Sequence, residues 1–265
     1  MLSQRIITAV FLIPLVLWLV LFASHSLFVI FVSAVFLAAA WEWAALSNLG
    51  VVWQRSLYCG FFVVVLWFSP FLPNWVFWMS SVLLWSAALY WVLSFPQNKW
   101  SPQRRWSKAL VGVLLLAVAW QALISLHEDG HRIAILYMLC LIWVADSLAY
   151  FSGRRWGKTK LLPSVSPGKT WAGVWGAVTG GALLALSVPL WSSLGAMEGT
   201  WFLWIVLSVF LVPISVLGDL LESVFKRQAQ VKDSGALLPG HGGMLDRIDS
   251  LLSVAPLFWL GMVFL

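Results

Sequence analysis

Residues 200–221, TWFLWIVLSVFLVPISVLGDLL, form an apolar run whose single charged residue, Asp219, lies near its end. A helix of this length is about 33 Å long, which matches the roughly 30 Å thickness of the hydrocarbon core of a bilayer. The run therefore predicts a membrane-spanning helix that brings a carboxylate to one face of the membrane.

The rest of the chain has the same apolar character. Apolar residues make up 62% of its 265 residues, the mean hydropathy is +0.92, and there are 20 Trp and 17 Phe. A soluble domain of this length cannot bury so much apolar surface, so the composition predicts an all-α polytopic membrane protein. Cys59 and Cys140 stand alone in apolar segments and fit no metal or redox spacing.

The apolar runs predict a bundle of about nine membrane-spanning helices in a single integral-membrane domain, residues 1–265. They cover residues 6–23, 26–47, 57–73, 75–95, 109–126, 133–152, 171–190, 200–221 and 250–265. The first run could pass for a signal peptide, but it is long and lacks a small-residue cleavage site, so we expect a retained helix. We find no internal repeat and no low-complexity linker.

The basic residues test this number of helices. If the N-terminus is cytoplasmic and the helices alternate in direction, 15 of the 16 Lys and Arg residues fall on the cytoplasmic side, and only Arg132 falls outside. This segregation follows the positive-inside rule. The net charge of +6 fits loops that face anionic lipid and anionic substrate, and the sequence carries no sign of nucleic-acid binding.

Charged residues are concentrated after the eighth run, in residues 223–249, SVFKRQAQVKDSGALLPGHGGMLDRID. Five of the ten acidic residues of the chain lie between positions 219 and 249. Carboxylates bind divalent cations, Lys and Arg bind phosphate, and a glycine-rich turn brings backbone N–H groups close to an anion. This combination indicates nucleotide phosphate chemistry.

Helical spacing organises this segment into two acidic patches. On a continuing eighth helix, four polar residues share one face: Asp219, Glu222, Ser223 and Lys226. Asp246 and Asp249 share a face of the turn that opens the ninth helix, and the glycine-rich loop 239–243 joins the two patches. Because carboxylates near the membrane are costly, these residues and Asp146, at the end of the sixth run, favour a functional role.

Residues 146–173, DSLAYFSGRRWGKTKLLPSVSPGKTWAG, are a second polar block. Its Gly168-Lys169-Thr170 imitates the end of a P-loop, which requires a glycine where Pro163 stands and a preceding strand. We therefore expect only a Lys in a Ser-Pro-Gly turn that holds phosphate.

Residues 127–131, HEDGH, satisfy the metalloprotease pattern H-E-x-x-H. That chemistry needs both histidines on one helical face, with the Glu as base. Asp129-Gly130 inside the motif favours a turn, and no convincing third ligand follows nearby, so we expect an ordinary polar loop.

Together these residues resemble the phosphatidate cytidylyltransferase family, the CDP-diacylglycerol synthases. The family signature is S-x-x-K-R-x4-K-D-x-G, a short spacer, and H-G-G-x-x-D-R-x-D. It is matched, with every spacing intact, by Ser223, Lys226, Arg227, Lys232, Asp233, Gly235, His241, Gly242, Gly243, Asp246, Arg247 and Asp249.

The second block resembles the family's D-x-x-A-Y-x-x-G-[RK] and S-P-x-K-T segments. The matching residues are Asp146, Ala149, Tyr150, Gly153, Arg154, Ser166, Pro167, Lys169 and Thr170. The early Ala40-Trp41-Glu42-Trp43 is also similar to the family, whereas Ala172 departs from it, because relatives often carry Glu or Gln at that position.

The resemblance implies that the cytidylyl group of CTP is transferred to phosphatidic acid, which gives CDP-diacylglycerol and pyrophosphate. It implies Mg²⁺ as the cofactor, with Asp219 and Asp246 as primary ligands and Asp249 and Asp146 completing the shell; a second cation in this cluster stays open. The implied catalytic residues are Asp219, Asp246, Lys226 and Arg227. The implied contacts to substrate and phosphate are Ser223, Lys232, Arg247, Lys169, Ser166, Gly242 and Gly243.

The expected location is the inner membrane of a bacterium, with the site facing the cytoplasm, and the small-residue helix faces allow a homodimer. Two other functions stay open from the residues alone: an ion-coupled membrane transporter, and an intramembrane metalloprotease that uses His127, Glu128 and His131. Against a transporter, the acidic residues cluster at one membrane face rather than at mid-depth, and we see no inverted repeat.

Overall fold

The computed structural model describes residues 2–97, 101–192, 201–237 and 242–264. Within these ranges the chain forms ten α-helices, one 3₁₀ turn and one two-stranded hairpin. In chain order they are α1 (Leu2–Leu21), α2 (His25–Leu46), α3 (Val52–Phe68), the 3₁₀ turn (Ser69–Phe71), α4 (Asn74–Ser94), α5 (Arg105–Glu128), α6 (Arg132–Trp156), β1 (Lys160–Leu162), β2 (Ser166–Thr170), α7 (Trp171–Ala185), α8 (Val188–Ser192), α9 (Trp201–Gln228) and α10 (Leu245–Met262).

The all-α polytopic architecture is confirmed. In the described part of the chain, six helices are long and apolar enough to cross a membrane: α2, α3 with its 3₁₀ turn, α4, α5, α6 and α9. The apolar parts of α1 (Leu12–Leu21) and α7 are shorter, and α10 carries three charged residues in its first turns. Each predicted apolar run coincides with a helix or a pair of helices, while the number of membrane crossings stays a prediction.

Two proline residues explain where the helices differ from the predicted runs. The seventh run was predicted as one helix, but α7 ends at Ala185 and α8 begins at Val188. Pro189 lacks a backbone N–H and its ring crowds the carbonyl four residues earlier, which favours an end to α7 at this point. In the same way, α3 gives way to a 3₁₀ turn at Pro70.

The hairpin was not predicted from the sequence. Strands β1 and β2 are antiparallel and pair Lys160 with Thr170 and Leu162 with Ser166. The expected Ser-Pro-Gly turn is therefore a strand that leads directly into α7, with Thr170 as the N-cap of that helix.

Helix α5 lies at the centre of the bundle. It is apolar on all sides, as expected of a fully surrounded helix, and packs against α2, α3, α4, α6 and α10. The indole Nε1 of Trp43, on α2, donates to the carbonyl oxygen of Lys108 at 2.9 Å. Because a Cβ at Gly112 would overlap this indole, glycine is required for α2 and α5 to approach so closely.

Contacts between helix ends define two opposite ends of the bundle. At one end, His25 at the start of α2 lies beside His127 at the end of α5, and Arg132 at the start of α6 donates to Leu21 at the end of α1. At the other end, α6 and α9 finish, α7 and α10 begin, and Glu42 near the end of α2 contacts the start of α10.

The H-E-x-x-H motif lies at the first of these ends and forms a turn, as predicted. His127 and Glu128 close α5, Gly130 has a positive φ of 83°, and His131 precedes α6. Within the described ranges no group of three His, Cys, Asp or Glu side chains is placed to hold a metal ion. The metalloprotease hypothesis therefore lacks its metal site in this part of the chain.

Candidate active site

The end of α9 carries the first acidic patch. The helix continues past the apolar run to Gln228, so the predicted shared face exists. Ser223 Oγ donates to Asp219 Oδ1 at 3.3 Å, and Lys226 Nζ donates to Glu222 Oε2 at 2.9 Å. Both pairs are four residues apart, as neighbours on one helical face must be.

The first turn of α10 carries the second acidic patch. Asp246 Oδ1 accepts a hydrogen bond from Lys226 Nζ at 2.7 Å. Its Oδ2 accepts from the backbone N–H groups of Ser234 at 3.1 Å and Gly243 at 2.8 Å. The Lys226 ammonium thus lies between Glu222 and Asp246 and joins the two patches.

The hairpin supplies a further cation to the same place. Lys169 Nζ lies 2.7 Å from Asp219 Oδ2, and these side chains are 24% and 38% exposed. Arg227 Nε donates to the carbonyl oxygen of Val165 at 3.2 Å. The hairpin is therefore held against α9 at two points.

Lys169, Asp219 and Asp246 line one cleft of about 660 Å³. All four predicted carboxylate ligands, Asp146, Asp219, Asp246 and Asp249, line it together with Lys169. The remaining lining residues are Ala149, Tyr150, Gly153, Arg154, Gly157, Lys160, Gly168, Thr170, Gly173, Val174, Val216 and Ser250. The cleft combines carboxylates and cations with small and apolar residues, a chemistry suited to a phosphate ester that carries an apolar portion.

The donor groups in the cleft fit Mg²⁺. Carboxylate oxygens are the ligands this ion prefers, and it often takes one or two of them while substrate phosphates and water complete its shell. In the described residues no three carboxylates converge closely enough to form a complete protein cage, and Asp219 and Asp246 each meet a lysine ammonium. This arrangement suits an ion shared with a bound phosphate better than an ion enclosed by protein.

Several predicted contacts lie outside the cleft. Of the residues that the structure describes, these predicted site residues do not line it: Ser166, Ser223, Lys226, Arg227, Lys232 and Arg247. Lys232 and Arg247 are exposed, and Ser166 begins strand β2. Gly242 has a positive φ of 82°, where glycine is favoured, and Gly243 contributes its N–H to Asp246. His241 lies outside the described residues.

The structure also adds residues that the prediction missed. Arg154 and Tyr150 line the cleft and are joined by a hydrogen bond of 3.1 Å from Arg154 Nη1 to the Tyr150 hydroxyl; their i, i+4 spacing was the available signal. Glu222 was recognised on the shared face but not as the partner of Lys226. Glu42 was recognised only as part of a family-like stretch, and nothing local indicated its partners.

Comparison with known proteins identifies the family of this chain. The sequence model of the "Cytidylyltransferase family" matches residues 3–265. A relative named phosphatidate cytidylyltransferase from Pseudomonas aeruginosa is 40% identical over 265 residues, which cover 97% of this chain and 96% of the relative. Relatives of the same name from Haemophilus influenzae and Brucella melitensis are 36% and 35% identical and cover 97% and 98% of this chain, and 97% and 92% of their own lengths. The chain therefore belongs to the cytidylyltransferase family.

Proposed function

We propose that this protein transfers the cytidylyl group of CTP to phosphatidate and so forms CDP-diacylglycerol and pyrophosphate. The main support is that residues from two polar blocks, 146–173 and 219–249, line one cleft in a chain that matches phosphatidate cytidylyltransferases over almost its whole length. No observation favours the transporter or the metalloprotease.

The reaction is a substitution at the α-phosphorus of CTP. A phosphate oxygen of phosphatidate forms the new P–O bond, the bond from the α-phosphorus to the bridging oxygen breaks, and pyrophosphate leaves with that electron pair. Both reactants are anions, so charge neutralisation and alignment dominate the barrier. A general base is unnecessary because a phosphate monoester is already ionised near neutral pH.

Lys169, which lines the cleft, and Lys226, which binds the lining residue Asp246, provide this neutralisation in our proposal. Lys169 and Lys226 exchange their carboxylate partners for phosphate oxygens when the nucleotide binds, since charge-assisted contacts to phosphate are strong. Asp219 and Asp246 would hold Mg²⁺, and Asp249 and Asp146 line the same cleft. When bound, the ion offsets negative charge on the triphosphate and the leaving pyrophosphate.

The position of the cleft suits a substrate that is half lipid. Val174 and Val216 form its apolar wall, and exposed Trp171 and Trp175 follow the hairpin on α7, where aromatic residues favour the membrane interface. We place this end of the bundle at the cytoplasmic face of the inner membrane, because nearly all of the basic residues segregate there if the helices alternate. CTP then reaches the cleft from the cytoplasm while the lipid keeps its chains in the bilayer.

The decisive experiment uses the purified full-length protein with phosphatidate in mixed micelles and CTP labelled at the α-phosphorus. We expect label in the lipid fraction and an equal amount of unlabelled pyrophosphate. Release of label as pyrophosphate, or a protein that produces no labelled lipid while it remains folded, contradicts the proposal.

A further inference from the structure

A buried carboxylate outside the cleft holds the start of α10, the helix that carries Asp246. Glu42, on α2, is only 3% exposed. Its Oε1 accepts from the backbone N–H of Met244 at 3.0 Å, and its Oε2 accepts from the N–H of Leu245 at 2.8 Å and from Ser234 Oγ at 2.9 Å. Both oxygens are therefore committed to a segment about 200 residues away in the chain.

The Glu42 carboxylate caps the N-terminus of α10. Leu245 is the first residue of α10, and Met244, in the N-cap position, makes no side-chain capping bond. The first N–H groups of a helix have no partner inside it, and a negative charge near them is favourable. Glu42 satisfies two such groups from another helix, so the start of α10 depends on α2.

Two glycines make room for this carboxylate. A Cβ at Gly235 would overlap Glu42 Oε1, and a Cβ at Gly243 would overlap Glu42 Oε2 and Ser234 Oγ. The backbone approaches the carboxylate so closely that any side chain at either position displaces it. Glycine is therefore required at both positions for the backbone to pack against the Glu42 carboxylate.

Asp246 holds the same two loop segments from the cleft side. Its Oδ2 accepts from the N–H groups of Ser234 and Gly243, while Ser234 donates its hydroxyl to Glu42. Ser234 thus bridges the two carboxylates, one buried and one lining the cleft. A shift of Glu42 moves Ser234 and Gly243, and with them the hydrogen bonds that orient Asp246.

We propose that Glu42 is a positioning residue for the cytidylyl transfer: its carboxylate fixes Ser234 and the backbone of Met244 and Leu245, and so sets the orientation of Asp246 in the cleft. The inference rests on the proposed active site, in which Asp246 is a ligand. The position needs an acceptor at both oxygens, because three donors converge on it. A Gln there turns its NH₂ group towards at least one N–H or O–H donor.

The test compares matched variants of the full-length enzyme. Glu42→Gln is paired with Glu128→Gln, which changes an exposed residue at the opposite end of the bundle. Gly243→Ala is paired with Gly50→Ala, where an added Cβ meets nothing within 4 Å. We expect Glu42→Gln and Gly243→Ala to lower kcat per folded molecule about tenfold or more, with smaller changes in KM for CTP, while both controls stay near wild type.

A second arm separates positioning from general stability. Folded protein is quantified by size-exclusion chromatography and tryptophan fluorescence, and activity is divided by that amount. We expect the Glu42→Gln and Ser234→Ala effects on kcat to be non-additive, because they break the same bond. Wild-type kcat per folded molecule in both Glu42→Gln and Gly243→Ala overturns the inference. The Asp246→Asn variant tests the proposed site separately. If that variant is active, the proposed site is wrong, whatever the Glu42 variants show.

Discussion

The Lys169 ammonium lies 2.7 Å from Oδ2 of Asp219, and this ion pair joins the hairpin to α9. Lys226 makes the equivalent link between α9 and α10 through Asp246, also at 2.7 Å. Each of the two carboxylates assigned as a primary metal ligand thus meets a lysine from a different element. Both of these carboxylates of the cleft are therefore neutralised by a neighbouring ammonium.

Asp219→Asn and Asp246→Asn are each expected to abolish synthesis while the protein still inserts and folds. The change removes a negative charge but keeps the shape of the side chain, and we expect turnover to fall roughly a hundredfold or more. Incorporation of labelled CTP by the purified variants measures this. Asp129→Asn, at the opposite end of the bundle, is the matched control. Turnover near wild type by either cleft variant at saturating Mg²⁺ would remove that residue from the site.

Lys169→Ala and Lys226→Ala are each expected to lower kcat/KM roughly tenfold to a hundredfold, because each loses a cation that contacts phosphate in the proposed complex. His131→Ala, in the turn between α5 and α6, should leave kcat/KM unchanged. Steady-state kinetics with CTP and phosphatidate varied separately provide the test. An inactive histidine variant together with normal lysine variants would place the chemistry at the other end of the bundle.

The two lysine variants should differ in stability. Lys226 is the ion partner of Glu222, which is only 2% exposed, so Lys226→Ala leaves a buried carboxylate without its cation. We expect a cost of about 3–5 kcal/mol and a clearly lower Tm. The Lys169–Asp219 pair is more exposed, so Lys169→Ala should change Tm little.

Glu222→Gln in the Lys226→Ala background tests the cause of that loss. Because the buried charge is removed, the double variant should have a higher Tm than Lys226→Ala alone. Thermal unfolding in detergent measures this difference. Equal Tm values for the single and double variants would show that the loss of the ion pair is not responsible.

Metal removal should stop the reaction reversibly. We expect EDTA to eliminate synthesis and added Mg²⁺ to restore it, because the cleft provides oxygen donors for this ion. Equilibrium binding of labelled CTP supplies a readout that is independent of turnover, and we expect its affinity to rise with Mg²⁺. Full activity in EDTA would exclude the metal from the mechanism.

Single-cysteine labelling tests the orientation in the membrane. In a variant without Cys59 and Cys140, a cysteine at Ala236 should react with an impermeant reagent only from the cytoplasmic side. A cysteine at Asp129 should react only from the outside, because the two exposed positions lie at opposite ends of the bundle. External labelling at position 236 would overturn both the nine-helix topology and the cytoplasmic site.

The sequence alone determined most of the helical spans and five of the charged residues that line the cleft: Asp146, Lys169, Asp219, Asp246 and Asp249. A membrane requires every backbone group to be paired within a helix or a closed barrel, so an apolar run of sufficient length is a strong local signal. The i, i+3 and i, i+4 spacings that place Asp219, Ser223 and Lys226 on one face are equally local, and the structure confirms them.

Only the tertiary structure decided which distant groups meet. Whether α5 is central depends on how the other helices pack. The partner of Lys169 depends on a hairpin whose strands showed no clear strand pattern in the sequence. The role of Glu42 depends on Gly235 and Gly243 approaching it from the far end of the chain. Hydropathy and spacing are properties of neighbouring residues, whereas the pairing of a buried carboxylate is settled by which backbone N–H groups the packed helices bring to it.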